Sequence, residues 1–174
     1  MKRRVLKFGG SSVADFTKIK NIAEMLKRRV DDGEQLIVVV SAMGKTTDQL
    51  MENVSHLTTT PKDEELALLL TTGEQQTVSY LSMVLNDIGV NAKAMTGYQA
   101  GIKTVGHHLK SKIAEINPNI FDEAFKDHDI LVVAGFQGIN DDFELTTLGR
   151  GGSDTTAVAL AASNQTPSEI YTDV

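Results

Sequence analysis

The stretch LIVVVSA at residues 36–42 decides the fold. It is a continuous apolar run rich in β-branched residues, the pattern of a strand buried on both faces in a parallel sheet. Upstream, Phe16, Ile19, Ile22, Ala23, Leu26 and Val30 fall on one stripe, so 15–32 reads as a helix stopped by Gly33, and 4–8 reads as a short strand before it. Downstream, 46–57 reads as helical, and so does 63–88, where Leu66, Leu69, Leu70, Val78, Leu81 and Leu85 recur at helical spacing before Gly89. Residues 90–95 and 101–105 read as strands, while 107–116 fits a strand or a helix equally well. A short helix follows Pro118 over 119–127, and DILVVAGF at 129–136 is a second buried strand. Residues 138–148 suit a hairpin or loop around Asn140-Asp141-Asp142, 154–163 a helix, and EIYTDV at 169–174 a last strand. Strands alternating with helices predict an α/β domain with a mostly parallel sheet sandwiched by helices. In such sheets ligands sit at the carboxyl ends of the strands. The pattern stops in or just after a strand, as expected of a fragment truncated on its C-terminal side.

At 174 residues the chain can form one domain with a sizeable core, and 41% hydrophobic with 23% charged residues is ordinary for a globular protein. The net charge of −6 argues against nucleic-acid binding, which needs a basic face, but a few local cations can still hold a small anion. There is no cysteine, hence no disulfide, thiolate metal site or thiol nucleophile. The basic start Met1-Lys2-Arg3-Arg4 is not a signal peptide, because Lys7 and Gly9 interrupt its apolar stretch. No apolar run is long enough to span a bilayer. A cytoplasmic location without membrane contact is expected.

Four segments follow strands or open helices: KFGGSS at 7–12, SAMGKTTD at 41–48, TTGEQ at 71–75 and GRGGSD at 149–154. Glycine turns bring backbone N–H groups close to a ligand, and helix N-termini favour anions. One Gly-Gly is simply a tight turn. Two such turns, each with a cation (Lys7 and Arg150), point to an anion site. MGKTT at 43–47 is not a P-loop, since Val39 stands where its first glycine is required. GRGGSD is not a dinucleotide fingerprint, since Asp154 replaces the last glycine. His56, His107, His108 and His128 lack the spacing of a ligand set and read as surface or structural residues, so no metal ligands are assigned. Glu74 follows Gly73 inside a helical pattern. A helix break with Glu74 near a new N-terminus and a ligand-facing carboxylate fit this spacing equally.

KFGGSS, VVVSAMGKTTDQL, TTGEQ, MTGYQAGI, VVAGFQG and LGRGGSDTTA, in this order, resemble the aspartokinases of the amino acid kinase superfamily. The resemblance covers essentially the whole chain, and the pairing of KFGGSS with GRGGSDTTA is its most specific part. It implies ATP-dependent phosphorylation of the L-aspartate β-carboxylate to 4-phospho-L-aspartate, the entry to lysine, threonine and methionine, with Mg²⁺ and a homo-oligomeric full-length parent. It implies that residues 1–174 are the aspartate-binding N-terminal part of the catalytic domain, without the rest of the nucleotide lobe or the regulatory ACT domains.

By the same resemblance, Lys7, Gly10 and Asp154 are catalytic, and Lys7 with Gly9, Gly10 and Ser11 faces the phosphates. Ser41 and Thr47 line the aspartate pocket, Glu74 receives the ammonium group, Arg150 clamps the α-carboxylate and Ser153 lies near the amino group. Thr172 and Asp173 begin the segment that reaches the nucleotide. A carboxylate, with a pKa of about 3.9, is already a nucleophile at pH 7, so no general base is required. The alternatives are another carboxylate kinase, acting on glutamate or N-acetylglutamate, or a non-catalytic binding or regulatory module with the same fold.

Overall fold

The computed structural model describes residues 1–149 and 151–172; Arg150, Asp173 and Val174 lie outside the described residues. The elements run β1 (Lys2–Phe8), α1 (Phe16–Asp31), β2 (Glu34–Val40), α2 (Thr46–Ser55), α3 (Asp63–Asp87), β3 (Ala92–Met95) and β4 (Ile102–Val105). They continue with β5 (Lys112–Ile116), α4 (Asn119–Ala124), β6 (Ile130–Ala134), β7 (Gln137–Ile139), β8 (Leu145–Thr147), α5 (Gly152–Ser163) and β9 (Ser168–Tyr171).

The main sheet has the order β3-β6-β2-β1-β9, and every neighbouring pair in it is parallel. The run at 36–42 becomes β2 at its centre, with Leu36 to Val40 buried. Alternation divides the sheet between two cores. Leu6, Phe8, Val38 and Val132 pack with Ile22 and Leu26 of α1 and Leu81 of α3. Val5, Val39 and Val133 pack on the other face with Phe121 of α4 and Leu160 of α5. The predicted parallel sheet between helices is therefore present.

Helix boundaries have local causes. Asp15 caps α1 by accepting the Lys18 N–H at 2.8 Å, and Gly33 follows its end at φ +97°. Asp63, Glu64 and Glu65 supply negative charge in the first turn of α3.

Three readings that the spacing left open are decided. Residues 107–116 resolve into a turn and strand β5. The 138–148 segment is the antiparallel β7–β8 hairpin, and it joins a second sheet of order β5-β4-β7-β8 that the sequence pattern did not reveal. The helix break at Gly73 does not occur, for α3 runs through it without interruption. A Cβ at Gly73 would stand 2.9 Å from the Ala42 Cβ, so the glycine lets α3 approach the end of β2. No helix among the described residues is long and apolar enough to cross a membrane.

Candidate active site

Lys7 follows from strand alternation. It shares the face of Val5, so its side chain leaves β1 toward α5. There its Nζ meets the Asp154 Oδ1 at 2.9 Å, with the lysine 13% and the aspartate 51% exposed. A Cβ at Gly9 would lie 3.1 Å from that Nζ, so glycine leaves room for the ammonium group.

The ends of β2 and β6 meet the same helix start. Ser41 Oγ donates to Ser153 Oγ at 2.9 Å. A Cβ at Gly135 would fall 2.9 Å from Ser153 Oγ and 3.0 Å from Val39 Cγ1. Gly151 adopts φ +72°, and a Cβ on Gly152 would strike Phe136 at 2.4 Å, so the start of α5 can take this path only with glycine at these two positions. Phe136 is itself held at φ +72°, with its N–H donating to Thr156 Oγ1 at 3.1 Å. The first N–H groups of α5 lack intrahelical partners and carry the positive end of its dipole. Lys7, Ser41, Phe136, Gly152, Ser153 and Asp154 line one cavity of about 750 Å³ at the carboxyl ends of the parallel strands.

Other expected residues lie outside that lining. Gly10 packs against the segment after β2: its C=O accepts the Gly44 N–H at 2.9 Å, and a Cβ there would lie 3.1 Å from the Ala42 carbonyl. The Ser11 carbonyl accepts from Lys18 Nζ at 2.9 Å. Thr47 is half-buried in the first turn of α2, and Thr172 follows β9 exposed to solvent. Arg150 and Asp173 lie outside the described residues.

Glu74 stands in the middle of α3, only 2% exposed. Its Oε1 accepts from Gln137 Nε2 at 2.8 Å, and the same amide group donates to the Thr71 carbonyl at 3.0 Å. Desolvation pushes the Glu74 carboxyl up to about 8, against a smaller lowering by the Gln137 bond. Glu74 does not line the Lys7 cavity, although the preceding Gly73 touches Ala42, the neighbour of Ser41.

Phe136 and Gln137 were not singled out in the sequence, although both lie in VVAGFQG. Lys110 was also missed. It lines the cavity from the turn before β5, and no sequence pattern marks it. His107 pairs with Asp63 at 2.8 Å, and His108 with Glu144 at 3.1 Å. Glu64, His108 and Glu144 bring donor atoms within 4.8 Å of one another, a grouping invisible in the spacing. Asp154 has no comparable set of acidic or histidine neighbours among the described residues, so a Mg²⁺ beside it would need phosphate oxygens and water to complete its shell.

A parallel sheet whose strand ends carry a lysine, a glycine turn and a helix start is an α/β fold with an anion-accepting site. The sequence pattern of the amino acid kinase family matches residues 2–174, and the chain belongs to that family. It is 47% identical over 171 residues to aspartokinase 2 of Bacillus subtilis, covering 98% of this chain and 42% of that protein. It is 44% identical over 172 residues to the aspartokinase of Mycobacterium tuberculosis, covering 98% of this chain and 41% of that one. Among solved structures, the aspartate kinase from Synechocystis superposes with a TM-score of 0.82 at 42% identity, over 100% of this chain and 29% of its own. E. coli aspartokinase III in complex with aspartate and ADP superposes at 0.83 with 22% identity, over 100% of this chain and 49% of its own, a likeness of fold. The chain thus spans less than half the length of these relatives.

Proposed function

We propose that this chain is the aspartate-binding part of an enzyme that transfers the γ-phosphoryl group of ATP to the β-carboxylate of L-aspartate. The observation that carries the reading is the convergence of Lys7, Ser41, Ser153 and Asp154 on one cavity at the strand ends. The aspartokinases among its relatives supply the substrate, and the aspartate and ADP bound by one of them agree with it.

The barrier to this reaction is the meeting of two anions. At about 4 Å and an effective dielectric of 20, one pair of unit charges repels by about 4 kcal/mol. Lys7 and the first N–H groups of α5 place positive potential where that repulsion arises, and charge placement with positioning supplies most of the catalysis. The room beside Lys7 fits phosphate, because Gly9 lacks the Cβ that would crowd Nζ. Mg²⁺ brought with the nucleotide would be held by Asp154 and would neutralise phosphate charge. In the reading taken from the family, Glu74 meets the substrate ammonium, Arg150 the α-carboxylate, and Thr47 and Ser41 the pocket wall. Gly10, Ser11, Thr172 and Asp173 serve the nucleotide side. Residues 1–174 are, on this reading, the N-terminal part of the catalytic domain.

Trapping the acyl phosphate with hydroxylamine tests this in a protein that extends the chain to its relatives' length. L-Aspartate, ATP and Mg²⁺ should yield the hydroxamate, while L-glutamate and N-acetyl-L-glutamate should not. Lys7→Ala should lower turnover by about 10²–10³, or about 2.7–4 kcal/mol, the range for losing one transition-state donor. A Lys7→Ala protein within a few-fold of wild type would remove Lys7 from the reaction, and preference for either other acid would reassign the substrate.

A further inference from the structure

Glu74 is a buried carboxyl with no cation beside it among the described residues. Its flanking helix neighbours Thr71 and Thr77 are neutral, as are Gln137 of β7, Leu145–Thr147 of β8 and the Gly97 backbone. Among the described residues, no charged side chain shifts its proton equilibrium.

Gln137 is 1% exposed, and its amide is fully committed. Its Oε1 accepts the Gly97 N–H at 3.2 Å, which forces the amide nitrogen toward α3. There the two N–H groups serve the Thr71 carbonyl at 3.0 Å and Glu74 Oε1 at 2.8 Å. A flipped amide would set oxygen against both acceptors. The Gly97 turn cannot withdraw from β7 without breaking this arrangement, and it packs so closely that a Cβ at Gly97 would lie 2.5 Å from the Gln137 carbonyl oxygen. Gln137 therefore orients Glu74 with one neutral donor, which fixes the carboxyl without supplying the positive charge that its ionised form needs in a dry site.

We propose that Gln137 is a positioning residue that holds the Glu74 carboxyl for an incoming ammonium group, and that the ammonium enters in exchange for a proton. The O–H bond of the Glu74 carboxyl breaks, its electron pair stays on oxygen, the proton passes to buffer, and an N–H of the ammonium becomes the new donor. The proposal rests on the reading that a substrate ammonium reaches Glu74. The upward displacement of the Glu74 carboxyl to about 8 agrees with it, since the acid form then prevails at pH 7 before ligand arrives.

Two measurements on the chain test it. In the first, L-aspartate is titrated calorimetrically at pH 7 in phosphate and in Tris, whose ionisation heats differ. Binding should release close to one proton per aspartate, falling toward zero by pH 9. Succinate, which lacks the ammonium, should release none. Aspartate binding without proton release, or no aspartate binding by the folded chain, overturns the exchange. In the second, carbon-13 NMR follows the Glu74 carboxyl in wild type and in Gln137→Met, which keeps the bulk and removes the donor. The variant's midpoint should rise by about one pH unit, the worth of one hydrogen bond. An unchanged midpoint in a folded variant overturns the role of Gln137. A midpoint that moves in a chain that binds no aspartate keeps the Gln137–Glu74 coupling and removes the substrate reading.

Discussion

Lys7 and Glu74 are both charged groups in low-dielectric surroundings, but they are treated oppositely. Lys7 has the Asp154 carboxylate within 2.9 Å, whereas among the described residues the Glu74 side chain meets the neutral Gln137 amide and no charged partner, and burial drives it toward its neutral form. That asymmetry has a consequence for stability. The folded-state pKa of Glu74 is raised above its unfolded value, so the folded state holds the extra proton between the two, and stability falls as pH rises from about 4.5 through about 8. Glu74→Gln keeps an acceptor for Gln137 and removes the charge. It should stabilise the fold at pH 7 by on the order of 2–3 kcal/mol, with the gain vanishing near pH 4, as read by urea unfolding across that range. A variant no more stable than wild type at pH 7 would show that Glu74 is ionised with a partner. The placement of Lys7 at the strand ends was legible in the sequence, because it is a lone cation in an apolar strand just before a glycine turn. Spacing left Glu74 open between two readings. Its environment comes from Gln137, 63 residues away in the chain, and no local pattern carries that.

At the scale of elements, α3 shows how a contact overrides propensity. Glycine inside a helix costs about 1 kcal/mol relative to alanine, which by itself favours a break. The helix stays whole because its packing against α1 and the strands outweighs that cost, and the missing Cβ admits Ala42. Gly73→Ala would gain the propensity term but force two β-carbons to 2.9 Å, with neither side chain able to rotate away. Overpacking of this kind costs about 1–3 kcal/mol, so a net loss of about 1 kcal/mol is expected in denaturant unfolding. A stabilised Gly73→Ala would mean that α3 and the end of β2 separate easily. The main-sheet strands and the long helices were readable because their burial imposes a period. β7 and β8 have three residues each, too few for a period, and they form only because α3 and β4 lie alongside. The second sheet was hidden for that reason.

Across the whole molecule, Arg29 at the end of α1 joins the start of β2 to the edge strand β9. It donates to Glu34 Oε1 at 2.6 Å and to Glu169 Oε2 at 2.7 Å. The Arg29 bonds hold Glu34 below the usual carboxylate range. Stability from a lowered carboxyl is complete above its unfolded pKa and is lost as pH falls through the folded value. Arg29→Met should therefore cost about 1–2 kcal/mol at pH 7, less than two fully buried pairs because Glu169 is partly exposed, and much less in acid once Glu34 is protonated. Equal losses at both pH values would assign the effect to packing. The same architecture sets β1, β2 and β6 side by side with α5 packed on one face of them, and that alignment brings the Lys7 cavity together.

The central claim is that these residues form a pocket for L-aspartate. Calorimetric titration of the chain with L-aspartate, beside L-glutamate and the Glu74→Gln variant, tests it most directly. Saturable binding of aspartate, absent with glutamate and weakened at least tenfold in a Glu74→Gln protein that is nonetheless more stable, is the predicted result. A folded chain that binds neither acid, or binds both alike regardless of Glu74, would contradict it.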